Sequence, residues 1–382
     1  MGEITLFMSK GIPPKYVERE NQNTIRVLNQ KCNRNFEINY EKSRLHDCSK
    51  KNVPVDKMLQ PGDVLINSTG TGTAGRVAQL YDVPTPTTVD GHMIILRPTE
   101  EMDPIYYGYA VKAFQAKIEA LAEGSTGQTE INRKRLQEEI VISFPKEKET
   151  QERIARFLLN IDEKIKVNDK INKNLEQQAQ AIYQQMFIDN ASSDWIEGTL
   201  NDIADVTMGQ SPSGSSYNED GDGTIFFQGR AEFGFRFPTV RLYTTEPKRM
   251  ARANDTLMSV RAPVGDLNVA HTDCCIGRGL TAIHSKNNHQ SFVLYTMFSL
   301  KKQLNVFNGE GTVFGSINKN SLNEMPLLIP SSEKVDEFEA LVAPMDATVR
   351  NNYDEICRLE QLRDSLLPKL MSGELDVSDI EL

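Results

Sequence analysis

PGDVLINS at residues 61–68 and ANDTLMSV at residues 253–260 are two versions of one octapeptide, 192 positions apart. Each puts a turn residue and an aspartate ahead of a short, mostly apolar run, Val64–Ile66 or Thr256–Met258, and such a run bounded by Gly, Pro or Asp reads as a strand. The match extends in both directions. Met1-Gly-Glu-Ile4 answers Leu200-Asn-Asp-Ile203 at an offset of 199, and Val77-Ala78 answers Val269-Ala270 at 192. Ile131-Asn132-x-x-x-Leu136 answers Ile317-Asn318-x-x-x-Leu322 at 186, and Leu175-Glu-Gln177 answers Leu359-Glu-Gln361 at 184. The order never changes and the offset only falls. The chain is therefore a duplicated unit whose first copy has gained loop residues.

Each copy has a globular part and a helical part. In the first, Val64–Ile66, Met93–Leu96 and Ile140–Ile142 read as strands and Tyr106 to Leu121 as helix. The second repeats this with Thr256–Met258, Leu280–Ile283, Leu327–Ile329 and a helix over Phe292 to Leu304. After Pro145 and Pro330 come acidic first turns, favourable at a helix N-terminus, and then heptads. Ile161, Asn168, Leu175 and Ile182 form one seam, with Leu158, Ile165, Asn172, Ala179 and Met186 beside it. Met345, Asn352, Leu359 and Leu366 match the first seam, and Val342, Val349, Ile356, Arg363 and Leu370 the second. Asn168 and Asn352 share a seam position, where a polar residue fixes coiled-coil register at some cost in stability, or is tolerated as a partly solvated side chain. Pro344 removes a helical hydrogen bond, so the second helix is expected in two pieces with the long one starting near Met345.

The expected fold is α+β. Two similar mixed α/β domains, at 1–146 and 191–330, are separated by two long helices, at 147–190 and 331–382, that pack on each other as a coiled coil. The second helical segment includes an acidic tail. Helices of about 26 to 40 residues would span roughly 40–60 Å at 1.5 Å per residue. Domains at the ends of such a rod would be held that far apart.

Hydrophobic residues at 39% and charged residues at 25% are ordinary for a soluble chain of 382 residues. No stretch approaches the roughly 20 apolar residues of a membrane span, and no secretory signal opens the sequence. Five cysteines with no C-x-x-C spacing fit reduced thiols, so a cytoplasmic location without membrane association is expected. The net charge of −10 is uneven: segments 1–146, 147–190, 191–330 and 331–382 carry +1, −1, −2 and −8. The globular parts are near neutral, and each has the charge to form a local basic face.

Gly70-Thr-Gly72-Thr-Ala-Gly75 fits G-x-G-x-x-G, but the prolines at 84 and 86 replace the helix that a dinucleotide site needs. A turn whose backbone approaches a phosphate or a base suits it better. Its counterpart is Ser259-Val-Arg-Ala-Pro-Val-Gly265-Asp266. The five histidines do not repeat between copies and have no metal-ligand spacing, so neither a catalytic residue nor a cofactor or metal site is assigned. Arginines and glutamines beside Gly, Pro and aromatic residues suit base readout, because guanidinium forks match guanine and amides match adenine. The DNA-binding candidates are Lys31, Arg34, Arg44 and Arg76 in the first copy, and Gln228, Arg230, Arg236, Arg241, Arg261 and Arg278 in the second. Of these, Arg230, Arg236 and Arg261 are expected on one DNA face. A two-headed protein-binding adaptor and a nucleotide-dependent enzyme using Gly70–Gly75 are the competing readings.

Several motifs carry a family resemblance: Met208-Gly-Gln-Ser-Pro212, Ser259–Asp266, Gly315-Ser-Ile-Asn318 with Leu-Leu-Ile-Pro330, and Leu362-Arg-Asp-Ser-Leu-Leu-Pro-Lys-Leu-Met-Ser-Gly-Glu374. With the tandem architecture, they make the chain resemble the specificity subunits of Type I restriction-modification systems over essentially its whole length. The Gly70–Gly75 loop departs from the second copy's Arg-Ala-Pro-Val-Gly form. The resemblance implies that each globular part is a target recognition domain reading one half of a bipartite site in double-stranded DNA, and that the two helices pack as an antiparallel coiled coil with a pseudo-twofold axis, holding the domains over DNA segments about one helical turn apart. It further implies partners: two methylation subunits that bind S-adenosylmethionine, and restriction subunits that use ATP and Mg. Those cofactors would belong to the partners, and this chain would be non-catalytic.

Overall fold

The computed structural model describes residues 1–124, 129–309 and 315–375. It divides into two compact units, one of Met1–Lys166 with Ile356–Leu382 and one of Val167–Glu355. The end of the acidic tail, 376–382, lies outside the described residues.

In the first unit a four-stranded antiparallel sheet runs in the order Thr5–Lys10, Met93–Pro98, Val64–Asn67, Val77–Gln79. Successive side chains of a strand point to opposite faces. Val64, Ile66, Ile94 and Leu96 enter one core cluster, while Leu65, Met93 and Ile95 enter another. Burial on both faces is why these strands read as unbroken apolar runs. Each fully buried side chain of this kind contributes about 1.5–3 kcal/mol. The second unit repeats the sheet as Ala204–Met208, Leu280–Ser285, Thr256–Ser259, Leu267–Val269.

The ladder registers verify the duplication bond by bond. Val64 faces Leu96 and Gln79, and Thr256 faces Ile283 and Val269. Gly62 and Asn254 both adopt positive φ, and both donate their amides across the turn, to Leu80 and Ala270. The repeated Ile-Asn-x-x-x-Leu is a buried Ile, an Asn that caps a short helix, and a buried Leu inside that helix. One pairing needs correction. Val77 stands opposite Ile66 and Leu267 opposite Met258, so Val77 corresponds to Leu267 and not to Val269. The two extra residues lie in the Gly70–Gly75 loop: Gly75 donates to the Asn67 carbonyl as Gly265 does to that of Ser259.

Each unit also has a second sheet that its sequence did not announce. The first orders Tyr16–Val17, Arg44–Asp47, Thr24–Leu28, Thr87–Val89, and the last pair is parallel. The second orders Tyr217–Asn218, Leu242–Thr244, Thr224–Phe227, Cys274–Ile276, Met250–Ala251, again with a parallel pair at Phe227 and Ile276. Strands of two to five residues carry too few side chains for a visible period. Ile140–Ile142 form no strand. Their counterparts, in Pro326–Ile329, pair with Ile196–Thr199.

The first long helix covers Lys148–Tyr183 and continues as a π turn over Gln184–Asp189. The second runs unbroken over Ser332–Ser372, so the expected break at Pro344 does not occur. Pro344 and Ala340, whose carbonyl loses its partner, are both exposed to water, while Phe338, Val342 and Val349 on the other face are buried. That burial outweighs the roughly 3 kcal/mol penalty of a helical proline.

Within each unit the two helices pack antiparallel. In the first, Ile154, Ala155 and Leu158 share a cluster with Leu367, Leu370 and Met371, and Arg363 meets Asp162 at 2.8 Å. In the second, Asn168 meets Glu355 at 2.7 Å, Asn172 meets Asn352 at 2.9 Å, and Tyr183 packs edge-on against Phe338. Every seam position is buried or half-buried. Asn168 and Asn352 do not bond each other: each reaches a different polar partner on the facing helix.

Candidate nucleic-acid interface

Four of the predicted DNA contacts in the second unit come together. Gln228, Arg230, Arg261 and Arg278 line one cleft of 290 Å³ with Ser211 and Ser259. Gln228 and Arg230 follow the strand Thr224–Phe227, Arg261 follows Thr256–Ser259, and Arg278 follows Cys274–Ile276. These strands belong to both sheets, so the cleft opens where the two sheets release their chains.

Its floor is backbone packed too closely for side chains. A Cβ at Gly277 would lie 2.8 Å from the Gln228 carbonyl oxygen, and one at Gly209 would lie 2.1 Å from that of Gly277. Beside the floor, the Ser259 hydroxyl donates to the Pro263 carbonyl at 2.7 Å and accepts from the Asp266 amide at 2.9 Å. Arg230 is half exposed and pairs with Asp266 at 2.7 Å. Arg261 and Arg278 are exposed, and among the described residues neither has a carboxylate partner.

The other two arginines lie elsewhere. Arg241 pairs with the buried Glu232 at 2.5 Å, and Glu232 also accepts the Gly229 amide at 3.1 Å, so the pair braces the loop behind Arg230. Arg236 corrects the expectation outright. It is 4% exposed and pairs with Asp346 at 2.9 Å and Glu176 at 3.1 Å, and it donates to the Tyr295 hydroxyl. Burial pushes its pKa down, but Tyr295, Asp346 and Glu176 outweigh that and hold it above its ordinary value. A buried charge needs such partners, so Arg236 is an internal counter-ion and not part of a DNA face. Gln228–Phe237 therefore splits: its start faces the cleft, while Arg236 and Phe237 point inward.

In the first unit the candidates are dispersed. Lys31 and Arg34 are exposed on the loop and hairpin after Thr24–Leu28. Arg44 lies over the Tyr16 ring, 3.4 Å from its centroid. Arg76 is half-buried and donates to the Gly72 carbonyl at 3.0 Å, closing the Gly70–Gly75 loop on itself.

The matching cleft positions follow from equivalent backbone bonds. The Asp90 amide reaches Leu28 as that of Gly277 reaches Phe227, and the Ser68 amide reaches His92 as that of Val260 reaches Gly279. Thr69 bridges Glu130 as Arg261 bridges Ser316. Asn29 thus stands for Gln228, Thr69 for Arg261, Gly91 for Arg278 and His92 for Gly279. Thr69 and His92 hydrogen-bond each other at 2.8 Å, and among the described residues the buried side-chain oxygen of Gln30 has no hydrogen-bond partner. Neither residue of that pair was singled out from sequence, although the offset of 192 leads from Arg261 straight to Thr69.

Among the described residues no three His, Cys, Asp or Glu side chains are grouped to share a metal ion, and no helix is long and apolar enough to cross a membrane.

The chain was compared with known proteins. It is 28% identical to the MjaX protein of Methanocaldococcus jannaschii, provisionally assigned as a type I restriction enzyme specificity subunit, over 96% of this chain and 95% of that one. It is 23% identical to the MjaIX type I restriction enzyme specificity subunit of the same organism, over 90% and 83%. In fold it resembles the S subunit of a type I restriction-modification system from M. genitalium, with a TM-score of 0.59 and 18% identity over 97% and 94% of the two chains. The family model for the type I restriction modification DNA specificity domain matches twice, at residues 2–177 and 192–343, once for each copy of the repeat. Those two matches cover most of the sequence, and the chain belongs to the type I restriction-modification DNA specificity family.

Proposed function

We propose that this chain is the DNA-reading specificity subunit of a Type I restriction-modification enzyme. Each globular part reads one half of a bipartite, non-palindromic site in double-stranded DNA. Two methylation subunits and the restriction subunits dock on the chain and bring S-adenosylmethionine, ATP and Mg with them, while this chain contributes binding and no reacting group. The enzyme works in the cytoplasm. One observation carries the reading: equivalent backbone bonds in the two units hold different side chains at the positions that, in the second unit, line the cleft. One fold kept with two sets of polar contacts suits two recognition tasks of one kind, since base contacts specify while the scaffold positions. Neither an adaptor nor a nucleotide enzyme accounts for that pairing.

The test is expression with a candidate methylation subunit in a methylation-free host, followed by genome-wide mapping of methyl-adenine. The expected result is one motif with two specified halves and a constant unread gap. Methylation without a motif, or a purified complex whose DNA affinity does not fall with salt, would refute the reading.

A further inference from the structure

Resting on that functional reading, we infer that the cleft of Gln228, Arg230, Arg261 and Arg278 reads base edges, and that the half-site of the second unit contains guanine recognised by Arg261 and Arg278. The half-site of the first unit is read from the equivalent positions, by Thr69 and His92 with Lys31 in the adjoining loop, and has no guanidinium contact there.

Three observations lead to this. The backbone bonds that hold the strand ends around the cleft are repeated in the first unit, although Asp90 stands there in place of Gly277, so the ligand-facing walls can vary without disturbing the strands. Gly11 shows the same close packing as Gly209: a Cβ there would lie 2.1 Å from the Val89 carbonyl oxygen. The variation also has a chemical direction. Where the second unit offers two guanidinium forks with no carboxylate partner among the described residues, the first has a glycine and a hydroxyl bonded to an imidazole. Finally, Arg230 is held by Asp266 while Arg261 and Arg278 are not, which leaves those two forks for a ligand. Two parallel N–H donors fit the O6 and N7 of guanine in the major groove, and the Gln228 amide beside them suits adenine N6 and N7. A hydroxyl–imidazole pair has no such fork, so the first unit reads this position with single donors instead of a bidentate contact.

A phosphate would also accept two arginines, and the experiment separates the two ligands. Methyl-adenine is mapped for the complex carrying Arg261→Ala, Arg278→Ala, Arg261→Lys or Thr69→Arg. Base reading predicts that each alanine variant relaxes one G·C position of one half-site and lowers methylation at the original motif about 5- to 150-fold. The other half-site, read by the same molecule, stays intact and shows that the chain is folded. Arg261→Lys keeps the charge but loses the fork, so it keeps DNA affinity and loses the preference for guanine. Thr69→Arg alters the first half-site alone.

The inference fails if the alanine variants methylate the original motif unchanged. It fails equally if they lose rate at every sequence alike with a smaller salt dependence, as a phosphate contact would. It also fails if the wild-type motif has no G·C pair in the half-site of the second unit. If the wild-type complex specified no bipartite motif, the functional reading itself would fall.

Discussion

Asp162 in the first unit and Asp346 in the second occupy the same place in the repeat, yet they are neutralised from different directions. Both accept a hydrogen bond from the matching tyrosine, Tyr109 at 2.7 Å and Tyr295 at 2.9 Å. Asp162 takes its cations from Lys112 and from Arg363 on the second long helix. Asp346 takes its own from Arg236, on a loop more than a hundred residues away. Duplication kept the buried acceptor and its tyrosine, and each copy found a counter-charge where its loops allowed. A lone buried carboxylate is costly enough that some cation must fill the place, but the fold does not dictate which one.

Removing Arg236 should break this comparison most severely. Arg236→Ala leaves two acids and a buried tyrosine hydroxyl without their shared donor, and should destabilise the second unit by about 3–5 kcal/mol. The measurement is a urea or thermal midpoint. At temperatures where the variant is folded, the methylated motif should stay the same. A relaxed half-site with unchanged stability would return Arg236 to the DNA face.

The first unit should respond less, because Asp162 has two cations. Arg363→Ala leaves Lys112, but burial pushes the Lys112 ammonium down and makes it the weaker counter-charge. A loss of about 1–3 kcal/mol is expected, as for a buried group that loses one hydrogen-bonded partner. The pH dependence has a definite sign. Burial pushes the Asp162 carboxyl up, but Lys112, Arg363 and Tyr109 outweigh it and hold the group below its ordinary range. Its stabilisation is therefore complete above the unfolded carboxylate value of about 4, and is lost as pH falls through the lower folded value. The stability gap between wild type and Asp162→Asn should be widest near neutrality and shrink steadily in acid. A gap that grew on acidification would refute the pairing.

The two nodes also explain what the sequence could show. Val64–Ile66 and Leu280–Ile283 were visible because burial on both sheet faces makes a run apolar, and the heptads because two packed helices impose a period. Asn132 and Asn318 were visible as part of a repeat, since capping needs one side chain at one place. The role of Arg236 was hidden because its partners, Glu176, Asp346 and Tyr295, lie 59 to 110 residues away in the chain. Gly-, Arg- and aromatic-rich sequence looks the same whether it faces DNA or a buried acid. The cleft was half legible: the arginine types pointed to recognition, but only the strand order brings residues 228, 230, 261 and 278 to one opening. Pro344 misled because a local penalty was weighed without the packing on either side of it.

The helix seam offers a smaller contrast. Asn172 is 2% exposed and pairs with Asn352. Asn352→Leu alone leaves Asn172 buried without its partner, and should cost about 1–3 kcal/mol. The double variant Asn172→Leu with Asn352→Leu removes donor and acceptor together, and should recover most of that loss. If the double variant is as unstable as the single one, the pair is not what holds this level of the seam.

The smallest effect is expected at the turn with which the two octapeptides begin. Gly62 and Asn254 hold the same left-handed conformation, at φ of 91° and 73°. Asparagine tolerates that region better than other residues with a side chain, but less well than glycine. Asn254→Gly relieves this strain, yet it gives up the bond that Asn254 accepts from Arg350 at 2.7 Å and adds freedom to the unfolded chain. These terms oppose one another, and the net change should stay within about 0.5 kcal/mol, the range of surface substitutions. The reverse change is not its mirror image. A Cβ at Gly62 would come within 2.9 Å of the Pro104 ring, so Gly62→Asn adds crowding to left-handed strain and should cost about 1–2 kcal/mol. Urea titration of both variants checks the asymmetry. Equal effects would mean that the backbone alone sets the cost. A larger loss for Asn254→Gly would mean that the Arg350 bond is what holds the second unit's turn.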